Sequence, residues 1–252
     1  MVKLSKRLQM IADRVPKGTR IADIGSDHAL LPTYLAQSGI ITFAVAGEVN
    51  PGPFEAATRQ VLESGLSAKI SVRSGDGLAV IEPGEVDVIT IAGMGGSLMA
   101  SILEAGKDKL KGVRKLILQP NVGEDQVRRW LDEQSWLLES ETILEEDGKI
   151  YEILTAAPAK NKVILEALYQ DLRLPGEKTI DKERLLLMGP FLMKEAPDVW
   201  FRKWESELEK LSMIETQLSR STAEASKAKA EQITNEIREI KEVLACLQKD
   251  RR

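Results

Sequence analysis

What this chain has little of bounds it first. Its 252 residues include one cysteine, Cys246, and one histidine, His28. A single cysteine excludes an intramolecular disulfide framework and a four-cysteine zinc site. A single histidine excludes a His-rich metal centre, so no metal is expected. Aromatic residues make up only 4%, which leaves few stacking platforms for single-stranded RNA. No run of roughly 18 apolar residues occurs, and Lys3, Lys6 and Arg7 are not followed by an apolar segment, so neither a membrane span nor a signal peptide is expected. The net charge is −4 with 29% charged residues, which excludes a uniformly basic coat but not a local basic patch. Apolar residues reach 43%, enough for a sizeable core. The expectation is a reduced, cytoplasmic protein, with a monomer favoured.

From Thr19 to Ala157 short β-branched runs alternate with helical stretches. The spacing predicts strands at Arg20–Ile24, Thr42–Gly47, Lys69–Arg73, Val86–Ile91, Arg114–Leu118, Trp136–Leu144 and Tyr151–Ala156. Several are near-continuous apolar runs, as a parallel sheet covered on both faces requires. Tyr34–Gly39, Pro53–Gly65 and Met99–Ala105 are candidate crossover helices. Asp147-Gly148 between the last two strands reads as a hairpin turn, so the sheet should end in an antiparallel pair. The fold class is therefore α/β: a mostly parallel, Rossmann-like sheet over residues 1–157.

Past Pro158 the pattern changes. Trp204, Leu208, Leu211 and Leu218 form one helical seam, and Ile233, Ile237, Ile240, Leu244 and Leu247 form a second with heptad steps. Ser219-Arg220-Ser221-Thr222 interrupts them, and Ser221 with Glu224 reads as a capping box. Residues 158–252 are expected to form a helical domain ending in an antiparallel coiled-coil hairpin. Cys246 is read as packing within its second helix.

The loop after the first strand is Asp23-Ile24-Gly25-Ser26-Asp27-His28-Ala29. It lacks the second and third glycines of a dinucleotide fingerprint, and two carboxylates would repel a pyrophosphate. A ligand with positive charge and no phosphate suits it, and S-adenosylmethionine fits that description. The alternative is an ordinary turn in which Asp23 and Asp27 cap the helix. Glu48 follows the second strand, where a carboxylate can accept both hydroxyls of a ribose. Asp76, within Gly75-Asp76-Gly77, follows the third and can accept from an adenine amino group. The fourth strand runs into Ala92-Gly93-Met94-Gly95-Gly96, where glycines allow close backbone approach and Met94 could lie along a ligand. The fifth ends in Gln119-Pro120-Asn121, whose amides could read a base edge, or merely shape a turn.

Together these motifs resemble those of the bacterial tRNA (adenine-22-N1)-methyltransferases. The resemblance covers the whole α/β part, and a helical hairpin follows in that family too. Leu30 stands where the family usually has Tyr. The resemblance implies a class I S-adenosylmethionine-dependent methyltransferase acting on a tRNA D-arm adenine. The cofactor-binding candidates are Asp23, Gly25, Ser26, His28, Glu48, Asp76, Gly77, Ala92, Gly93 and Met94. A different RNA or a small molecule as substrate, or a non-catalytic binding module on the same fold, are the competing readings.

N1 of a neutral adenine carries a free lone pair, so attack on the methyl group needs placement and no base. That edge is hidden in a paired base, so the adenine must be unpaired or flipped out. Methylation makes the base cationic, which points to Asp27 as an electrostatic partner and Asn121 as an orienter. His28 is a pocket wall or, alternatively, a proton carrier. For the tRNA, the N-terminal segment has an apolar stripe of Leu4, Leu8, Ile11, Ala12 and Val15. Its Lys3, Lys6, Arg7 and Arg14 are expected to face outward toward phosphates. Lys107–Lys115 and Arg128-Arg129 are further basic candidates.

Overall fold

Seven runs of β-branched and apolar residues form one sheet in a computed structural model of the chain, which describes residues 2–173, 179–220 and 223–250. The strands are β1 (Thr19–Ile24), β2 (Ile41–Glu48), β3 (Ile70–Ser74), β4 (Val88–Gly95), β5 (Lys115–Val122), β6 (Trp136–Glu146) and β7 (Lys149–Pro158). They stand in the order β3-β2-β1-β4-β5-β7-β6. The first five are mutually parallel. β7 runs antiparallel to both β5 and β6. Ile21, Ala44, Val88, Ile89, Leu116 and Ile117 in the inner strands are almost fully buried, which explains their unbroken apolar character. The β6–β7 turn pairs Glu146 with Lys149, and Asp147 and Gly148 both have positive φ. That is the backbone a two-residue hairpin requires, and the Asp-Gly pair supplies it.

The helices of this part are α1 (Lys6–Ala12), α2 (Leu30–Gln37), α3 (Pro51–Glu63), α4 (Gly96–Ala105), α5 (Glu124–Glu133) and α6 (Lys162–Leu168). Ser5 caps α1 by accepting from the Leu8 N–H. Ile11, Ala12 and Val15 join the core cluster, with Leu4 and Leu8 packed against it. Sequence order reverses between β1 and β4, and the crevice at their carboxyl ends is where ligands of such sheets bind.

The chain separates into two compact units, Met1–Leu168 and Tyr169–Arg252. Helix α6 thus belongs to the first, past the change in sequence pattern after Ala157. The second unit contains a short pair of strands, β8 (Leu172–Arg173) and β9 (Thr179–Ile180). Four helices follow: α7 (Lys182–Met188), α8 (Pro190–Glu195), α9 (Asp198–Ser219) and α10 (Glu224–Asp250). Helices α9 and α10 pack along one another. Ile233, Ile237, Ile240, Leu244 and Leu247 are all buried, as the heptad steps require. The α9 seam is buried only at Trp204, while Leu208, Leu211 and Leu218 are half-buried. Trp200 and Phe201 complete its core, with their ring centroids 5.3 Å apart and edge-on. Ser221, expected to cap α10, lies outside the described residues.

Candidate active site

The loop between β1 and α2 is a tight turn that its own hydrogen bonds hold in shape. Gly25 (φ +70°) lets the chain leave β1, and its N–H and that of Ser26 both donate to the Gly47 carbonyl at the end of β2. His28 and Ala29 follow with φ of 55° and 49°. Left-handed non-glycine residues cost about 1–3 kcal/mol each and persist only where the surroundings impose them.

Asp23 lies beneath this loop. It is 6% exposed, and its two carboxylate oxygens accept from Ser26 Oγ at 2.5 Å and Thr90 Oγ1 at 2.6 Å. Burial pushes its carboxyl above the ordinary aspartate range, while the Ser26 and Thr90 bonds and the charge of Arg7 hold it down. Asp23 was expected to reach the ligand directly. Its oxygens are instead spent on fixing β1, its loop and β4 together, and it does not line the crevice. Neither does Ser26, whose hydroxyl turns inward to Asp23, nor His28, which faces solvent and lies 3.4 Å from Asp27.

A cavity of about 600 Å³ opens at the carboxyl ends of the strands. It brings together Gly25, Asp27, Glu48, Asp76, Gly77, Ala92, Gly93, Met94 and Asn121 of the expected set. Glu48 is 7% exposed. Burial raises its carboxyl above the usual range, the N–H groups of Val49 and Asn50 pull it back, and Asp27 and Asp23 add to the rise. Asp27 and Asp76 are exposed at the rim. Gly93 (φ +78°) makes a bulge between β4 and β5. Its N–H donates to Gln119 Oε1 at 3.2 Å, and its carbonyl accepts from Asn121 Nδ2 at 2.8 Å. Gln119 is fully buried, so it braces this bulge and cannot read a base. The Asn121 amide is itself engaged in the brace, with Oδ1 accepting from Gln119 Nε2 at 3.2 Å.

Two of the four cations expected to face outward turn in. The Arg7 guanidinium enters the cavity and donates to Gln119 Oε1 at 2.5 Å. Arg14 folds back to the Met10 carbonyl and Thr142 Oγ1, where burial lowers its pKa despite Asp13. Lys3 and Lys6 are exposed. Arg128 is likewise no surface cation: it is fully buried, with Nε 2.6 Å from Glu141 Oε1 and a second ion pair to Glu152. Tyr151, an aromatic lining residue from β7, was not anticipated. Its chain position is remote from the loops after the first five strands, and only the antiparallel return of β7 beside β5 brings it near.

Among the described residues no cluster of three or more His, Cys, Asp and Glu could hold a metal. None of the described helices is long and apolar enough to cross a membrane. Residues 21–242 match the model of the tRNA (adenine(22)-N(1))-methyltransferase family. The chain belongs to this family. A Bacillus subtilis tRNA (adenine(22)-N(1))-methyltransferase is 47% identical over 244 residues, spanning 96% of this chain and 98% of that one. The crystal structure of the B. subtilis m1A22 tRNA methyltransferase superposes with a TM-score of 0.86 at 48% identity, over 96% of this chain and 99% of that one. A Streptococcus pneumoniae putative tRNA (m1A22) methyltransferase solved with S-adenosyl-L-methionine gives 0.80 at 42% identity, over 96% and 100%. Membership in this methyltransferase family agrees with the sheet order, the crevice at the switch point and the carboxylates along it.

Proposed function

We propose that this chain transfers the methyl group of S-adenosylmethionine to N1 of adenine 22 in tRNA, with the cofactor in the crevice of the first unit. The observation that carries this reading is the succession of carboxylates along one cavity: Asp76 after β3, Glu48 at the end of β2 and Asp27 after β1. The donor set suits the ligand. Glu48 accepts the two ribose hydroxyls, Asp76 accepts from the adenine amino group, and the Gly25 and Gly93 backbones allow close approach. When bound, S-adenosylmethionine supplies an electrophilic methyl on a sulfonium. The chain's own task is placement, since N1 already bears the lone pair that attacks. Asp27, exposed at the rim, offsets the positive charge that the base acquires. Asn121, fixed against Gly93, presents a rigid wall that orients the base. Asp23 acts as a positioning residue through the loop.

For the tRNA, Lys3 and Lys6 remain as phosphate contacts, with Arg7 and Arg14 withdrawn from that role. The second unit is assigned to substrate handling, the protein to the cytoplasm, and the working state to a monomer. Calorimetric titration with S-adenosylhomocysteine tests the cofactor assignment. Glu48→Ala should weaken binding by about 1.5–3 kcal/mol, the worth of hydrogen bonds to a charged acceptor. Unchanged affinity in a folded Glu48→Ala protein would refute the role of Glu48.

A further inference from the structure

Adenine 22 presents its N1 only after leaving its pair and its stack, so the RNA has to be opened beside the crevice. The strand order sets the side on which this happens. Asp76 follows β3, Glu48 ends β2, Gly25 follows β1, Gly93 lies in β4 and Asn121 in β5, and these strands are neighbours in that order. With the adenosine of the cofactor at Asp76 and Glu48, the base to be methylated stands at the β4–β5 end, against Asn121.

The next residue, Val122, ends β5 and is 68% exposed. Single exposed apolar side chains are ordinary on a protein surface, but this one sits in a rigid mount at the mouth of the crevice. Val122 pairs with Gly95 where the β4–β5 register shifts, and a side chain at Gly95 would meet its Cγ2 at 4.0 Å. Pro120 fixes the backbone two residues before it. Just after it, a side chain at Gly96 would strike the Gly123 carbonyl oxygen at 1.9 Å, so the chain after β4 and the chain after β5 touch backbone to backbone. Trp130 Nε1 donates to Glu104 Oε2 at 3.0 Å, which ties α5 to α4. A valine is also stiff at χ1, so it loses little freedom when it is driven between bases. Val49 and Leu98, likewise exposed, line the cavity and are covered when it is filled. Val122 lies outside the cavity lining and stays bare toward the RNA.

Two methyl groups cannot read a base by hydrogen bonds. Beside an opening stack, an exposed aliphatic side chain on a firm backbone fills the gap and keeps the steps apart. The geometry points to Val122 as a wedge that enters the tRNA stack as adenine 22 leaves it, a role that rests on the reaction proposed above. Val122 holds the stack open, and Asn121, its neighbour in the chain, orients the extruded base.

The test places 2-aminopurine, whose emission rises when it unstacks, at position 22 of a tRNA transcript. The wild-type chain with S-adenosylhomocysteine should raise that emission on binding. Val122→Ala should bind S-adenosylhomocysteine as the wild type does, which reports that the variant is folded. Its emission rise should be smaller, and its kcat/KM on an adenine-22 transcript should drop roughly tenfold, the worth of two buried methyl groups. Val122→Ile keeps a stiff wedge and should keep both signals. A transcript with an abasic site facing adenine 22 leaves that base unpaired, and on it Val122→Ala should approach the wild-type rate. An equal loss on both transcripts would make Val122 a plain docking contact and overturn the wedge. So would unchanged emission and kcat/KM in Val122→Ala, or no emission rise with the wild type. If the wild type binds S-adenosylhomocysteine yet methylates neither transcript, the proposed reaction itself falls and takes the wedge with it.

Discussion

Glu48 carries a carboxylate in a site only 7% exposed, and burial, together with Asp27 and Asp23, raises its pKa. A raised folded-state pKa means that the folded protein holds the proton more tightly than the unfolded chain does. Its contribution to stability is then greatest at low pH and is lost as pH rises through the raised value. Glu48→Gln removes that penalty. Its melting temperature at pH 7 should be no lower than wild type, and its stability should vary less with pH above the ordinary carboxylate range. Ligand binding has the opposite sign, because a protonated Glu48 loses its negative charge and turns one acceptor oxygen into a donor. Wild-type affinity for S-adenosylhomocysteine should decline on acidification, beginning above the usual carboxylate range, and calorimetry across pH would measure it. The roles of Asp76, Glu48, Gly93 and Met94 could be anticipated because each follows a strand the sequence marks clearly. The direction of Arg7 and Arg14 could not. A helical wheel says where a side chain starts, but their partners Gln119 and Thr142 lie 112 and 128 residues away. The inward bonds of Asp23 are illegible for a related reason: an acid after a strand looks the same whether it meets a ligand or Ser26 and Thr90.

At the level of elements, the seven strands of the main sheet are legible, since unbroken apolar runs and an Asp-Gly turn are local signals, whereas the two-residue β8 and β9 are too short to leave one. Helix α5 was not among the expected crossovers. Its Arg128-Arg129 pair reads as surface charge until β6 and β7 bring Glu141 and Glu152 against it. Burial opposes the Arg128 charge, and the nearby Glu141, Glu152 and Glu124 more than compensate, leaving its pKa raised. Arg128→Ala would remove the guanidinium that Glu141 and Glu152 face in a fully buried setting. Breaking such a pair costs about 3–5 kcal/mol, so chemical denaturation should show a loss of that order. A change below about 0.5 kcal/mol, as expected for a surface site, would show that the ion pairs do not hold α5 to the hairpin. In α9, Leu208, Leu211 and Leu218 are at helical spacing yet only half-buried. Spacing defines a stripe and leaves open how deeply the stripe is covered.

On the scale of the molecule, the first unit closes its own sheet and core, and every residue lining the candidate crevice belongs to it. A chain ending at Leu168 should therefore fold and bind S-adenosylhomocysteine with wild-type affinity, since domains with their own core can fold alone. It should lose most of its methylation of tRNA, measured as kcat/KM. Full activity of that fragment would remove the second unit from substrate handling. Methyl transfer to a defined tRNA tests the reaction itself. Transfer of labelled methyl from S-adenosylmethionine is followed on two unmodified tRNA transcripts that differ only in adenine or guanine at position 22. Label should enter the adenine transcript, recovered as 1-methyladenosine at that position, and not the guanine transcript. Equal labelling of both, or none in either by a folded protein that binds the cofactor, would contradict it.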